Sequence, residues 1–510
     1  MKKALLISYR FPPQGGGGVQ RTLKYVKFLR EHGWEPVVQT ARGPVWPVWD
    51  ESLLAEVPAG VAIHHTPVLE PERLEKLVLA ALRPLLGKSR RAGVPATVAP
   101  PLVAAGASGA TTAARPSKPR PRRPHPLRQL RDWIYGRLFV PDAQRVWGPL
   151  AVAHGIMIAR RGGVDLIYTS SPPNSVHSIG GRIARRLGLP WVADFRDPWT
   201  DGPRRRRSYA GNPRREKREA EQERWVMRHA DRIVVSAPAL RERFLEKYDF
   251  LRPEHVCVLT NGFDRDDLAA SEREQSGLEP GLFHLTGTGN IEAMVDMRPC
   301  FEAIAEACVE HPDLGHALRV NLVGAKKGQW DAEIARLGLG ERVRYTGWVS
   351  HARAIRFLRD SQLLLMCQLV EEGGGGEKLS GKFFEYLATG KPVLALTVPG
   401  LTSKILGETG VGHVHAPVDK DGIKATLVRA FAARAASPRA DPAVVARYDR
   451  RVLASQLAAL FDEVVAEHGQ AGSRPAAPAA GPAHARGNES GDGSPATWSE
   501  PHAASGGMQP

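Results

Sequence analysis

Glu377 and Glu385 stand eight positions apart in the run Gly373-Gly374-Gly375-Gly376-Glu377-Lys378-Leu379-Ser380-Gly381-Lys382-Phe383-Phe384-Glu385. Carboxylates accept hydrogen bonds from hydroxyl groups, and a glycine-rich backbone brings its N–H groups close to an anion. Lys382, at the start of a helical pattern, adds a cation between them. A second glycine run, Gly15-Gly16-Gly17-Gly18, follows an apolar stretch at 2–8 and precedes another helical pattern. There a helix N-terminus offers free N–H groups to an anionic ligand; the plainer alternative is a flexible loop. The spacing is not G-x-G-x-x-G and no G-K-[S/T] follows, which excludes a dinucleotide fingerprint and a P-loop.

His177 follows Pro172-Pro173 at the first turn of a helical pattern, and Asp194-Phe195-Arg196-Asp197 ends an apolar run. A lone histidine is read either as a structural residue or as a group that supports a departing phosphate. The Asp–Arg–Asp cluster either orients an acceptor hydroxyl or forms an internal ion-pair network. The cysteines, Cys257, Cys300, Cys308 and Cys367, show no C-x-x-C spacing, so neither a metal site nor a disulfide framework is expected.

These residues need elements to place them. Apolar runs at 2–8, 35–40, 61–66, 164–169, 190–194, 232–236 and 256–260 read as strands, with helical patterns between them at 19–32, 150–158, 176–187, 214–229 and 238–247. After the turn Asn261-Gly262-Phe263 and a polar stretch to Glu279 the alternation restarts. Strands are predicted at 283–286, 319–323, 343–345, 363–366 and 393–396, helices near 298–310, 331–337, 351–359, 381–389 and 420–434, and a last helix over 443–467. Such alternation predicts an α/β protein with two parallel-sheet units facing a cleft, ligands lying beyond the carboxyl ends of the strands.

The glutamate run, continuing Tyr386-Leu387-Ala388-Thr389-Gly390-Lys391-Pro392, resembles the motif of two glutamates separated by seven residues in retaining glycosyltransferases of family 4, which have the GT-B fold of two Rossmann-like domains. Phe11-Pro12-Pro13 with the glycine run matches that family's opening. Asn261-Gly262-Phe263-Asp264 resembles its hinge, and Arg344-Tyr345-Thr346-Gly347-Trp348-Val349-Ser350 its base-binding turn. Ser170–His177 and Ala193–Trp199 resemble a bacterial cell-surface polysaccharide branch. The resemblance implies a donor site in which Glu377 contacts the donor sugar, Glu385 the ribose and Lys382 the diphosphate, with Gly374, Gly375, Gly376, Gly16, Gly17 and Val349 around the nucleotide-sugar. It places His177 facing the donor sugar across the cleft and Asp194 and Arg196 on the acceptor side, with Glu377, His177 and Asp197 as the candidate catalytic residues. It implies front-face displacement, the leaving phosphate oxygen taking the acceptor proton, without a metal or any cofactor beyond the donor substrate. Relatives carry an Arg/Lys pair after the first strand of the second domain; here Arg298 is the basic residue of that stretch, and Lys326 or Lys327 is the substitute.

The boundaries that follow are 1–265 for an N-terminal acceptor domain, 266–436 for a C-terminal donor domain, 437–468 for a helix crossing back to the first domain, and 469–510 for a disordered tail. The net charge of +16 concentrates in two stretches. Residues 88–127, a disordered insertion with eight prolines, carry +8; residues 203–218 carry +7; the 471–510 tail carries −1, which leaves +2 elsewhere. Leu127–Val140 mixes arginines with Trp133, Tyr135 and Phe139, as suits an interfacial helix on an anionic membrane; a buried helix beside a solvated loop is the alternative. The partners expected are a nucleotide-sugar donor, a glycan or lipid-linked acceptor, and an anionic membrane surface met through 88–140 and 203–218, with no nucleic acid. No run approaches the ~18 apolar residues of a spanning helix, and Ala4–Ile7 is too short for a signal peptide. The expected place is the cytoplasm, with peripheral attachment to the inner face of the plasma membrane as the further reading. Two rivals are a nucleotide-sugar epimerase of the same shape and a basic nucleic-acid-binding protein, the latter lacking any reading motif.

Overall fold

Two parallel sheets organise the chain, and both reverse their strand order once. The computed structural model describes residues 1–43, 49–68, 139–201, 212–289, 295–325, 327–368 and 379–472. The first sheet contains β1 (Lys2–Ile7), β2 (Trp34–Arg42), β3 (Ala62–Pro67), β4 (Leu166–Ser171), β5 (Trp191–Phe195), β6 (Arg232–Val235) and β7 (Val256–Val258), in the order β3-β2-β1-β4-β5-β6-β7. The second contains β8 (Phe283–Thr288), β9 (Leu318–Val323), β10 (Val343–Gly347), β11 (Leu363–Cys367), β12 (Val393–Leu396) and β13 (Gly412–His415), in the order β10-β9-β8-β11-β12-β13. Every pairing is parallel. Central strands are covered on both faces, which is why Ala4–Ile7 and Leu363–Leu365 read as continuous apolar runs.

The switch points lie between β1 and β4 and between β8 and β11, where such sheets leave a crevice at their carboxyl ends. Helix α1 (Gly17–Phe28) leaves β1 at the first crevice and buries Val19, Leu23 and Val26 at three- and four-residue spacing. Helices α2 (Gly148–Gly162), α3 (Ser175–Leu187), α4 (Pro213–His229) and α5 (Pro238–Lys247) complete the first unit. A short α6 (Arg265–Ala270) follows the turn after β7. The second unit adds α7 (Arg298–Glu310), α8 (Pro312–Ala317), α9 (Asp331–Arg336), α10 (His351–Asp360), α11 (Gly381–Thr389), α12 (Leu401–Thr409) and α13 (Lys420–Ala432).

The chain returns through α14 (Pro442–Ala446) and α15 (Arg450–Gly472). The helix expected over 443–467 is thus two. The break falls where Asp449 forms a parallel bridge with Phe263, with Phe263 N donating to Tyr448 O at 3.0 Å and Arg450 N to Phe263 O at 2.9 Å. The chain's two passages between the sheets therefore run side by side. Gly262 permits this, because a Cβ there would lie 2.2 Å from Tyr448 O. Beyond the break, Leu453, Leu457, Phe461 and Val464 join the core beneath α1, Phe461 meeting Trp34 edge-on at 5.2 Å. Strand β13 and helix α12 were not expected: Gly412-His413-Val414-His415 is a half-buried edge with one β-branched residue.

The insertion at 88–127 and residues 127–138 and 203–211 lie outside the described residues, as does 473–510 of the tail. Where the basic stretches are described, two side chains turn inward. Val140 is fully buried, and Arg215 is 6% exposed, donating to Glu219 at 2.9 Å and to Pro141 O at 3.1 Å. Arg215 is therefore a structural residue of α4, against its expected place on a membrane face.

Candidate active site

At the first crevice Gly16, with φ +94°, caps α1, and Gly18 accepts a 2.7 Å hydrogen bond from Arg196 Nη1. Gly17 is the first residue of α1. Arg196 is further fixed through its carbonyl, which accepts from Ser236 Oγ at 2.8 Å. Asp197 lies 3.8 Å from Arg196 Nε and is about one-third exposed. Arg196 and Asp197 thus stand beside the glycine loop at the carboxyl end of β5.

Asp194 is not on an acceptor face: it is fully buried and receives Arg21 Nε and Nη2 at 2.8 Å each, Tyr168 OH at 2.7 Å and Ser170 Oγ at 2.9 Å. Burial would raise its pKa, but Arg21 and the two hydroxyls outweigh it and hold the carboxyl below its ordinary value. Arg21 also donates to Leu259 O and Thr260 O, so the cluster ties α1 to the chain entering the hinge. Of the two readings of the Asp–Arg–Asp cluster, Asp194 takes the ion-pair one. His177 likewise is not exposed at the crevice. Its ring is fully buried, stacked on Phe195 at 4.3 Å, with Nδ1 2.8 Å from Thr169 Oγ1. Burial pushes its pKa down to about 3 against the pull of Asp194, so the imidazole is neutral.

Glu385, on the second turn of α11, accepts a 2.9 Å hydrogen bond from Nε2 of His351, the first residue of α10. Burial works against the imidazolium, but the hydrogen bond and charge of Glu385 prevail and push its pKa up to about 9. Lys382, one turn before Glu385, is exposed and reaches Gly289 at the end of β8. Partial loss of hydration against the neighbouring protein lowers its pKa, and Glu385 opposes the change. Gly289, with φ +92°, donates its N–H to Val323 O at 2.7 Å, and Gly324 lies against it. Tyr386 OH accepts from Thr288 N at 2.7 Å and donates to Leu365 O at 3.1 Å, clamping α11 over the switch point. Ser350 caps α10 by accepting from Arg353 N, and half-buried Val349 precedes it. Trp348 beside it exposes 85% of its surface.

Arg298 is not part of this group. It is exposed at the start of α7 and held by Asp296, with Nε at 3.0 Å from both carboxylate oxygens. Glu377, Gly374, Gly375, Gly376 and Lys326 lie outside the described residues. Sequence reading missed His351, Gly289 and Gly324; a histidine at a helix start carries no signal until its partner 34 residues on is folded against it.

Between the crevices, Lys24 of α1 donates to Asp264 at 2.7 Å, Asp267 at 2.8 Å and also Glu56; Lys27 reaches Asp264 and Asp266. Among the described residues, Glu56, Asp264 and Asp267 are the carboxylates close enough to share a metal ion, within 4.8 Å of one another. The Lys24 ammonium bonds to all three, which makes the cluster an ion-pair hub.

Residues 90–262 match the model of the glycosyl transferase 4-like domain and residues 273–432 that of glycosyl transferases group 1. No curated protein matches the sequence. Solved structures share the fold at low identity. A glycosyltransferase from Rickettsia africae is 12% identical with a TM-score of 0.50, over 91% of this chain and 98% of that one. An alpha,alpha-trehalose 6-phosphate synthase from Burkholderia multivorans is 12% identical with a TM-score of 0.53, over 93% and 99%. Two parallel-sheet units in tandem, the first matched from residue 90 onward and the second over 273–432 by glycosyltransferase domains, make this chain a glycosyltransferase of the GT-B type.

Proposed function

We propose that this glycosyltransferase moves a sugar, with retention, from a nucleotide-diphosphate-sugar to a hydroxyl of a lipid-linked glycan in cell-surface polysaccharide assembly. The observation that carries the reading is the joint placement of Glu385 and Lys382 on α11 beside Gly289, at the switch point of the second sheet. A carboxylate that accepts from ribose hydroxyls thus stands one helical turn from a cation for the diphosphate. Glu377 and the glycines before it, in the chain between β11 and α11, supply the donor-sugar contacts of this reading. Asp197 and Arg196 supply its acceptor side.

In the reaction the bond from the sugar C1 to the phosphate oxygen breaks and the acceptor oxygen bonds to C1 on the same face. The acceptor proton passes to the leaving phosphate oxygen. No metal enters this reading. Among the described residues no helix is long and apolar enough to cross a membrane. Attachment to an anionic surface through 88–140 and 203–218 is the accompanying proposal, and Arg214, Lys217 and Arg218 are exposed for it.

The test is transfer from a panel of nucleotide-sugars to lipid-linked acceptors, with the anomeric configuration of the product read by NMR. Retention, and loss of transfer in Glu377→Ala and Glu385→Ala, are expected; unchanged transfer in both variants overturns the site. An epimerised sugar formed without acceptor replaces the reading with the epimerase one.

A further inference from the structure

Glu385 has two neighbours able to hold its carboxylate. Lys382 lies three positions earlier on the same helix, a spacing at which side chains meet. His351 comes from another helix and holds Oε1 at 2.9 Å. The described residues show no hydrogen bond from Lys382 to Glu385; Lys382 turns instead to Gly289. We propose that His351 is the positioning residue of the donor site: by holding Oε1 of Glu385 it leaves Oε2 for a ribose hydroxyl and keeps the carboxylate from collapsing onto Lys382, whose cation stays available to the diphosphate. The inference rests on the donor role of Glu385 and Lys382 argued above.

The surroundings fit this division of charge. A cation at the first position of a helix opposes the helix dipole, so an imidazolium at His351 needs its carboxylate partner. Glu385 supplies that partner from α11, and Asp267 of α6 adds negative charge from a third element. Lys24 of α1 opposes it, and Lys382, turned to Gly289, feels the charge of Glu385 without bonding to it. His351 and Glu385 expose 43% and 24% of their side chains, so both are reachable by a ligand.

The proposal predicts a pattern that packing alone would not give. Two probes are titrated by calorimetry: inorganic pyrophosphate, which needs Lys382 only, and the tightest binder among UDP, GDP, TDP and ADP, which needs both groups. Glu385→Ala weakens the nucleoside diphosphate and leaves pyrophosphate within twofold. His351→Ala frees Glu385 to pair with Lys382, so both probes weaken, each about tenfold. The double variant His351→Ala/Glu385→Ala regains pyrophosphate binding. His351→Gln, which keeps an N–H donor, retains both affinities and guards against a folding defect. Pyrophosphate binding unchanged in His351→Ala, with the nucleoside diphosphate weakened by Glu385→Ala, overturns the positioning role alone. Nucleoside diphosphate binding unchanged in Glu385→Ala, or no binding by any of the four, overturns the donor reading beneath it.

Discussion

Lys382 rests its ammonium on the Cα of Gly289: a methyl group built on that glycine would come within 1.8 Å of Nζ. The contact joins the end of β8 to the start of α11 across the switch point, and it exists because residue 289 has no side chain. Its φ of +92° adds a second reason for glycine.

Gly289→Ala should therefore displace Lys382 and strain the turn. The expected result is a donor KM raised about tenfold with kcat changed less, as for an interaction made equally in ground and transition states. Lys382→Ala should reproduce most of that loss. Steady-state kinetics on the two variants and their combination checks it; fully additive effects would mean that the two residues act separately.

The Arg21–Asp194 pair is a stability element. Both side chains are at most 1% exposed, and their partners include Tyr168, Ser170 and the carbonyls of Leu259 and Thr260. Removing one member leaves a buried charge uncompensated, at a cost of about 3–5 kcal/mol. Asp194→Ala should lower the urea midpoint accordingly without changing the dependence on urea concentration. A midpoint like that of the parent would refute the assignment.

Two histidines should bend the stability curve from opposite ends. His177 has its folded pKa pushed down to about 3, so its contribution is present above pH 6.5 and fades as pH falls toward 3. His351 has its folded pKa pushed up to about 9, so its contribution is whole below pH 6.5 and fades as pH rises through 9. His177→Phe, which keeps a ring against Phe195, should flatten the acid side, and His351→Gln the alkaline side. Thermal midpoints from pH 4 to 10 check both.

The fold was legible because parallel strands covered on both faces are continuous apolar runs, Ala4–Ile7 and Leu363–Leu365 among them. Edge strand β13 lacked that signal, its four residues all half-buried. For the candidate site, the motif put Lys382 and Glu385 on one helix, and the fold seats that helix at a crevice. Lys382 and Glu385 lie at the switch point, but Asp194 at the end of β5 and His177 in the first turn of α3 are polar residues that are fully buried. Whether such a residue faces a crevice or a core depends on partners distant in sequence: Asp194 meets Arg21 across 173 positions. Spacing along the chain holds no trace of that pairing, and His351, paired with Glu385 only through two packed helices, left none either.

Lys24 offers the last prediction. Its ammonium, 3% exposed, is bonded to Glu56, Asp264 and Asp267, and burial works against its charge, yet the three carboxylates hold its pKa above the ordinary value. Lys24→Met would leave those carboxylates within 4.8 Å of one another with Lys27 as the nearest remaining cation. Like charges that close disfavour full ionisation, so the variant should be destabilised at neutral pH and recover part of the loss as pH falls and a carboxylate takes a proton. A hard divalent cation should serve the same end, because carboxylate oxygens are its preferred ligands. Thermal midpoints of Lys24→Met with and without millimolar calcium test this. A calcium-dependent rise in the variant and none in the parent is expected, and equal responses would show that Lys24 does not occupy the centre of the cluster.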